Sequence, residues 1–140
     1  MIETPHPNHG FYSRNDANCS MKKIVLVTGA TAGFGKAIAE KFAIQGYAVI
    51  ITGRRADRLA SLQQSIEQQY QVPCLALNFD IRNRNACLEA IAGLPADWQA
   101  IDILVNNAGG AWGRDNATVA SLDDWDTMID TNVKGLMYMT

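Results

Sequence analysis

Cysteine is scarce in this chain, and what there is excludes two kinds of architecture. The three cysteines, Cys19, Cys74 and Cys87, stand far apart with no C-x-x-C pair, which suits reduced thiols rather than a disulfide frame or a zinc site. A cytoplasmic location is the expectation. No apolar run approaches the length of a membrane span, and the opening "MIETPHPNHGFYSRNDANCS" lacks the basic start and apolar centre of a secretory signal. No charge of one sign dominates either: 12 Lys and Arg stand against 14 Asp and Glu, a net charge of −2. Neither nucleic acid nor a membrane surface is therefore an expected partner.

What is present is the composition of an ordinary globular domain, 48% hydrophobic over 140 residues, enough for one core. The first 20 residues, rich in Pro, Asn, His and Ser, show no hydrophobic period and read as a flexible tail, with Met21 as an alternative start. His6 and His9 fall in that tail and read as solvated. From Met21 onward, short apolar runs alternate with helical patterns, the signature of βα units and a parallel sheet.

The pattern predicts strands over Lys23–Val27, Tyr47–Thr52, Val72–Phe79 and Ile101–Asn106. Helices are expected after each. The first carries Phe34, Ile38, Phe42 and Ala43 on its apolar side and stops at Gly46. The second runs over Ala56–Tyr70 with Leu59, Leu62, Ile66 and Tyr70 at helical spacing, and the third over Asn85–Ala92. A last helix opens at Ser121, with Asp124 as its capping partner and Trp125, Ile129, Val133 and Leu136 on its apolar side. It reaches Thr140 without an ending signal. The acidic cluster at its start, from Asp123 to Asp126, reads as helix-dipole complement rather than a metal site.

The stretch "TGATAGFGKA" after the first strand admits three readings. A nucleoside triphosphate loop needs glycine six residues before the lysine and a hydroxyl after it, but those positions hold Ala30 and Ala37. The spacing G-x-G-x-x-G fails as well, because Thr31 stands two residues after Gly29. The pattern T-G-x-x-x-G-x-G is met by Thr28, Gly29, Gly33 and Gly35. Its glycines would make a tight turn, admit a pyrophosphate to the backbone and seat a helix whose N-terminus faces negative charge.

That loop, "NNAG" at Asn106–Gly109 and "NVKG" at Asn132–Gly135 together resemble the short-chain dehydrogenase/reductase family in its standard branch. The stretches "TGRRADRL", "DIRNR" and "DWDTMIDTNVKGLMYMT" are similar to those of its NADP-dependent members that act on 3-hydroxy acids. The resemblance implies an α/β fold of the Rossmann type, here its N-terminal part with strand order 3-2-1-4. It implies one nucleotide-binding domain over Met21–Thr140, broken off within the helix after the fourth strand.

It implies a cofactor bed made by Gly29, Thr31, Ala32, Gly33, Phe34 and Gly35. After the second strand an NAD enzyme would offer a carboxylate to the ribose 2′-hydroxyl. Here Gly53 is followed by Arg54 and Arg55, whose guanidinium groups suit a 2′-phosphate, so NADP is expected; a merely solvated pair is the bland alternative. By resemblance, Asp80 and Ile81 hold the adenine, although an Asp at that point is also a good turn former. Asn107, Ala108 and Gly109 would lie along the ribose, with Asn106 tying neighbouring strands. Trp112 would either line the substrate mouth or pack on its own loop.

The family's proton exchange uses a tyrosine, a lysine, a serine and a water-anchoring asparagine, the last matched by Asn132. A Y-x-x-x-K pattern occurs nowhere in these residues. The expectation is thus the cofactor half of an oxidoreductase acting on a small hydroxy acid or carbonyl compound, homo-oligomeric when whole. Alone, it should bind NADP weakly or fold poorly, with the fourth strand left as an apolar edge. A non-catalytic NADP-binding module is the other reading.

Overall fold

The computed structural model describes residues 22–113 and 115–140, so the expected tail lies outside the described residues. Four strands, β1 (Ile24–Val27), β2 (Ala48–Gly53), β3 (Cys74–Asn78) and β4 (Ile101–Val105), form one parallel sheet in the order β3-β2-β1-β4. The helices between them are α1 (Gly33–Ile44), α2 (Ala56–Tyr70) and α3 (Arg84–Ala92), with a 3₁₀ turn at Ala96–Trp98 before β4. The architecture is the expected α/β, Rossmann-type one.

The apolar runs are continuous because both faces of the sheet are covered. Val25, Val27, Val49 and Ile51 point to one side, where they pack with Ala39 and Ala43 of α1 and Leu59, Leu62 and Ile66 of α2. Ile24, Leu26, Ala48 and Ile50 point to the other, against Ile81, Cys87, Leu94, Trp98 and Met139. The register between β1 and β4 slips at their start, so that Val25 pairs with Ile103 directly after Ile24 pairs with Ile101. Asp102 accommodates the slip: its carboxylate accepts the Ile24 N–H at 2.7 Å.

Helix α1 ends as its glycine suggests. Gly46 takes φ +85°. Its N–H donates to the Ala43 carbonyl at 3.0 Å, and that of Tyr47 to the Phe42 carbonyl at 3.2 Å, the paired bonds of a Schellman cap. The rings of Phe42 and Tyr47 then meet edge to face with centroids 5.1 Å apart, the apolar contact that accompanies this cap. Phe34 departs from its expected place. It is 85% exposed, because the buried stripe of α1 is Gly35, Ala39 and Ala43.

The last helix is a composite. Helix α4 (Leu122–Ile129) passes through a π turn at Asp130–Lys134 into α5 (Gly135–Met139). Ser121 is the N-cap residue but its side chain makes no cap bond. Asp124 lies against Gly113 instead, where an added Cβ would be 3.0 Å from its carboxylate oxygen. Leu122, Trp125, Ile129, Val133 and Leu136 are exposed, and β4 pairs only with β1 among the described residues. No helix among the described residues is long and apolar enough to cross a membrane.

Candidate functional site

A cavity of about 380 Å³ opens where the sheet order reverses, beyond the carboxyl ends of β1 and β4. Gly29, Thr31, Ala32, Phe34, Gly35, Arg54, Arg55, Asp80, Ile81, Asn107, Ala108 and Gly109 all line it. These expected positions come from four separate connections. Gly33 alone of the expected bed is not a lining residue; it supplies the turn instead, at φ +57° with nothing within 4 Å of an added Cβ. Asn132 lies beside the cavity rather than on its wall.

The glycine loop is fixed by close approach. At Gly29, φ is +66° and an added Cβ would come within 2.8 Å of the Ala108 Cα, so the loop from β1 crosses the loop from β4 backbone on backbone. At Gly35 an added Cβ would meet the Gly29 carbonyl and the Asn107 carboxamide. The N-terminus of α1 is therefore pressed onto the crossing. Its N-cap, Ala32, has no side chain able to cap it, which leaves first-turn N–H groups directed at the cavity.

The strand tie expected of Asn106 belongs to Asn107. The Asn107 Nδ2 donates to the carbonyls of Thr28 at 2.9 Å and Gly29 at 3.1 Å. Thr28, 1% exposed, accepts the backbone N–H groups of Asn107 and Ala108 at its hydroxyl, both at 3.0 Å. The side chain of Asn106 instead donates to the Thr140 hydroxyl at 3.0 Å.

The basic side of the cavity is partly ordered. Arg55 donates to the Thr31 hydroxyl at 2.9 Å, while Arg54 stands 3.9 Å from the Asp80 carboxylate. Gly53 makes room for this grouping, since a Cβ there would come within 2.6 Å of the Thr31 methyl. Asp80 also forms the turn that was the alternative reading: one oxygen accepts the Arg82 backbone N–H at 3.0 Å. The Arg82 guanidinium grips both oxygens, at 2.6 Å at its closest. Burial alone would raise the Asp80 carboxyl, but the hydrogen bonds from Arg82 and the charges of Arg82 and Arg54 outweigh it and hold it below its ordinary value. Asp80 thus faces the cavity as an ionised acceptor.

Asn132 sits in the π turn, a feature common at functional sites. Its side-chain Oδ1 accepts the Gly110 N–H at 2.9 Å and its Nδ2 donates to the Gly110 carbonyl at 2.8 Å. Trp112 lies on Gly110 of its own loop, as one of its two readings had it, and also lines the cavity.

Three lining residues were not foreseen: Thr52, Phe79 and Thr131. The hydroxyls of Thr52 and Thr131 are buried and have no partner. Thr52 follows the alternation that also buries Ala48 and Ile50, a signal available in the sequence. Nothing in "DTNVK" marks a π turn, so the direction of Thr131 was not readable.

The uncapped helix end, the open surroundings of Gly33 and the arginine pair fit a dinucleotide carrying an extra phosphate. Among the described residues no group of three or more His, Cys, Asp and Glu could hold a metal ion.

Comparison with known proteins agrees with this geometry. The sequence pattern of the short chain dehydrogenase family matches residues 23–140. The chain is 56% identical over 117 residues to NADP-dependent 3-hydroxy acid dehydrogenase YdfG of Escherichia coli strain K12, covering 84% of this chain and 46% of that protein. It is 46% identical over 120 residues to serine 3-dehydrogenase of Rhizobium radiobacter, covering 86% and 47%. Among solved structures, serine dehydrogenase from Escherichia coli superposes with a TM-score of 0.75 at 55% identity, over 84% of this chain and 52% of that one. The closed form of a serine dehydrogenase complexed with NADP+ does so at 0.75 and 54%, over 83% and 45%. The chain spans about half the length of the curated relatives it matches.

Proposed function

Because this chain belongs to the short chain dehydrogenase family, we propose that it is the cofactor-binding part of an NADP-dependent oxidoreductase whose substrate is a small 3-hydroxy acid or the matching carbonyl compound. The observation that carries the cofactor choice is the pairing of Arg54 and Arg55 at one cavity wall, with Gly53 where a carboxylate would otherwise repel a 2′-phosphate. The substrate class rests on the relatives named for it.

The residues divide the work. First-turn N–H groups of α1 receive the pyrophosphate, with Gly29 and Gly35 letting the backbone come close. Arg55, already oriented by Thr31, and Arg54, drawn from Asp80, receive the 2′-phosphate. Asp80 and Ile81 hold the base, and Asn107, Ala108 and Gly109 line the ribose. NADP, when bound, supplies or accepts the hydride. With both carboxamide atoms engaged by Gly110, Asn132 fixes the loop that carries Gly109 and Trp112.

The apolar side of α4 and α5 is a surface for pairing with a second copy, so a homo-oligomer belongs to the same reading. So does a cytoplasmic setting, in keeping with the free, buried Cys74 and Cys87. Titration calorimetry of the chain with NADPH and with NADH tests the cofactor assignment: preference for NADPH is expected, and equal affinity would overturn it. For the whole protein, reduction of NADP by serine and allothreonine tests the substrate class, and no turnover with any 3-hydroxy acid would overturn that.

A further inference from the structure

Asp80 stands between two openings. It lines the dinucleotide cavity together with Arg54 and Arg55, and it lines a neighbouring groove together with Arg82, Asn83 and Asp130. Arg82 is not on the cavity wall; it reaches Asp80 from the groove side. Its Nε donates to Oδ1 at 3.1 Å and to Oδ2 at 3.0 Å, and its Nη2 donates to Oδ2 at 2.6 Å. Its backbone N–H adds a bond to Oδ1 at 3.0 Å. Both carboxylate oxygens are thereby engaged, and Arg54 comes no closer to Oδ2 than 3.9 Å, with its side chain 61% exposed. Asp130, the other acid in the groove, is paired with Lys134 at 2.7 Å, which leaves Arg82 to Asp80.

The consequence is electrostatic. An unpaired carboxylate at Asp80 would repel a 2′-phosphate held by Arg54 and Arg55, and it would also compete for Arg54, since a guanidinium forms the same two-pronged pair with a carboxylate as with a phosphate. Arg82 removes both difficulties, because it neutralises Asp80 and occupies the oxygens that Arg54 would otherwise take. We propose that Arg82, from outside the cavity, sets the preference for NADP over NAD by holding Asp80 and so leaving Arg54 to the 2′-phosphate. Arg82 is a positioning residue in this role, and the inference rests on the NADP reading above.

The test is calorimetry of the whole protein with NADPH and with NADH, read as the ratio of the two affinities. Arg82→Gln should lower the preference for NADPH by about two- to fivefold, the scale of a solvent-screened charge pair, chiefly by weakening NADPH. Arg82→Lys keeps the charge and should recover part of the ratio. Combining Asp80→Asn with Arg82→Gln should restore the ratio, whatever it does to the two affinities, because no carboxylate then competes for Arg54. Asp80→Asn alone should leave the ratio at or above that of the unaltered protein. If Arg82→Gln weakens both dinucleotides alike, or neither, the proposal fails and the NADP reading stands. A ratio that stays low in the double variant means that Arg82 does not act through Asp80, and one that falls in Asp80→Asn alone means that Asp80 helps Arg54 rather than competing for it; either overturns the proposal. An unaltered protein that binds NADH as tightly as NADPH would remove the NADP reading and this inference with it.

Discussion

Asn132 and Gly110, 22 residues apart, are joined by two reciprocal hydrogen bonds, 2.9 Å from the glycine N–H to the side-chain oxygen and 2.8 Å from the side-chain amide to the glycine carbonyl. The pair clamps the loop after β4 to the π turn. Asn132→Leu removes both bonds and leaves the Gly110 groups to water. Hydrogen exchange at the Gly110 amide should accelerate by roughly tenfold, since each bond contributes about 1 kcal/mol. Unchanged exchange at Gly110 would mean the loop is held by other contacts.

Thr28 predicts a larger effect from a smaller change. Its single hydroxyl serves two amides and donates to the Val105 carbonyl at 3.4 Å. Thr28→Val keeps the shape but leaves the Ala108 N–H without an acceptor and the Asn107 N–H with the Val105 carbonyl alone, at 3.0 Å. Urea unfolding should show a loss of about 1–3 kcal/mol, and Thr28→Ser should restore most of it. A loss under about 0.5 kcal/mol would show that water satisfies the Ala108 amide.

The two arginines differ in how far they are already placed. Arg55 is tied to Thr31 at 2.9 Å, while Arg54 has only the longer approach to Asp80 at 3.9 Å. Hydrogen bonds to a charged group contribute about 1.5–3 kcal/mol, so Arg55→Ala should lower the preference for NADPH over NADH by about tenfold or more. Thr31→Val, which removes only the orienting hydroxyl, should produce a smaller fall in the same direction. Calorimetry with both dinucleotides reads this, and an unaltered ratio in Arg55→Ala would assign the 2′-phosphate elsewhere.

Asp80 gives a pH dependence with a fixed sign. Its folded carboxyl is held below its ordinary value, so its stabilising contribution is complete above the unfolded carboxylate range, about pH 4. The contribution is lost as pH falls through the lower folded value. Arg82→Gln removes the guanidinium that grips both oxygens, so the melting temperature should fall near neutrality, and its difference from that of the unaltered chain should shrink as pH drops below the unfolded carboxylate range. Superimposable profiles would show that Arg54 and the backbone bond suffice.

How far the sequence carried the reading differs by feature. The strands and α1 to α3 were legible because buried parallel strands need continuous apolar runs and amphipathic helices repeat at helical spacing; Ala56–Tyr70 has the predicted bounds. The cavity was legible because glycine and arginine spacing fixes which backbone turns where. The rest depended on contacts between distant segments. Asn106 and Asn107 are chemically identical, and only the crossing of Gly29 over Ala108 decides which one ties the strands. Arg82, Thr28 and Asp102 act through partners that local pattern does not name. The cap expected from Ser121 and Asp124 yields to the approach of Asp124 to Gly113.

Gly33 and Gly35 separate two reasons for glycine within one loop. At Gly33 the only obstacle to a side chain is its φ of +57°, since nothing stands within 4 Å of an added Cβ. Gly33→Ala should therefore cost about 1–2 kcal/mol, the ordinary penalty of left-handed backbone. At Gly35 the backbone angle is no obstacle, but a Cβ would overlap the Gly29 carbonyl and the Asn107 carboxamide, so α1 must shift off the crossing. Gly35→Ala should cost more than Gly33→Ala in urea unfolding, about 3 kcal/mol or above, and should also disturb the ties from Asn107 to Thr28 and Gly29. The reverse order of the two losses would mean that the helix N-terminus is not seated on the loop crossing, and the geometry assigned to the pyrophosphate end of the cavity would fail with it.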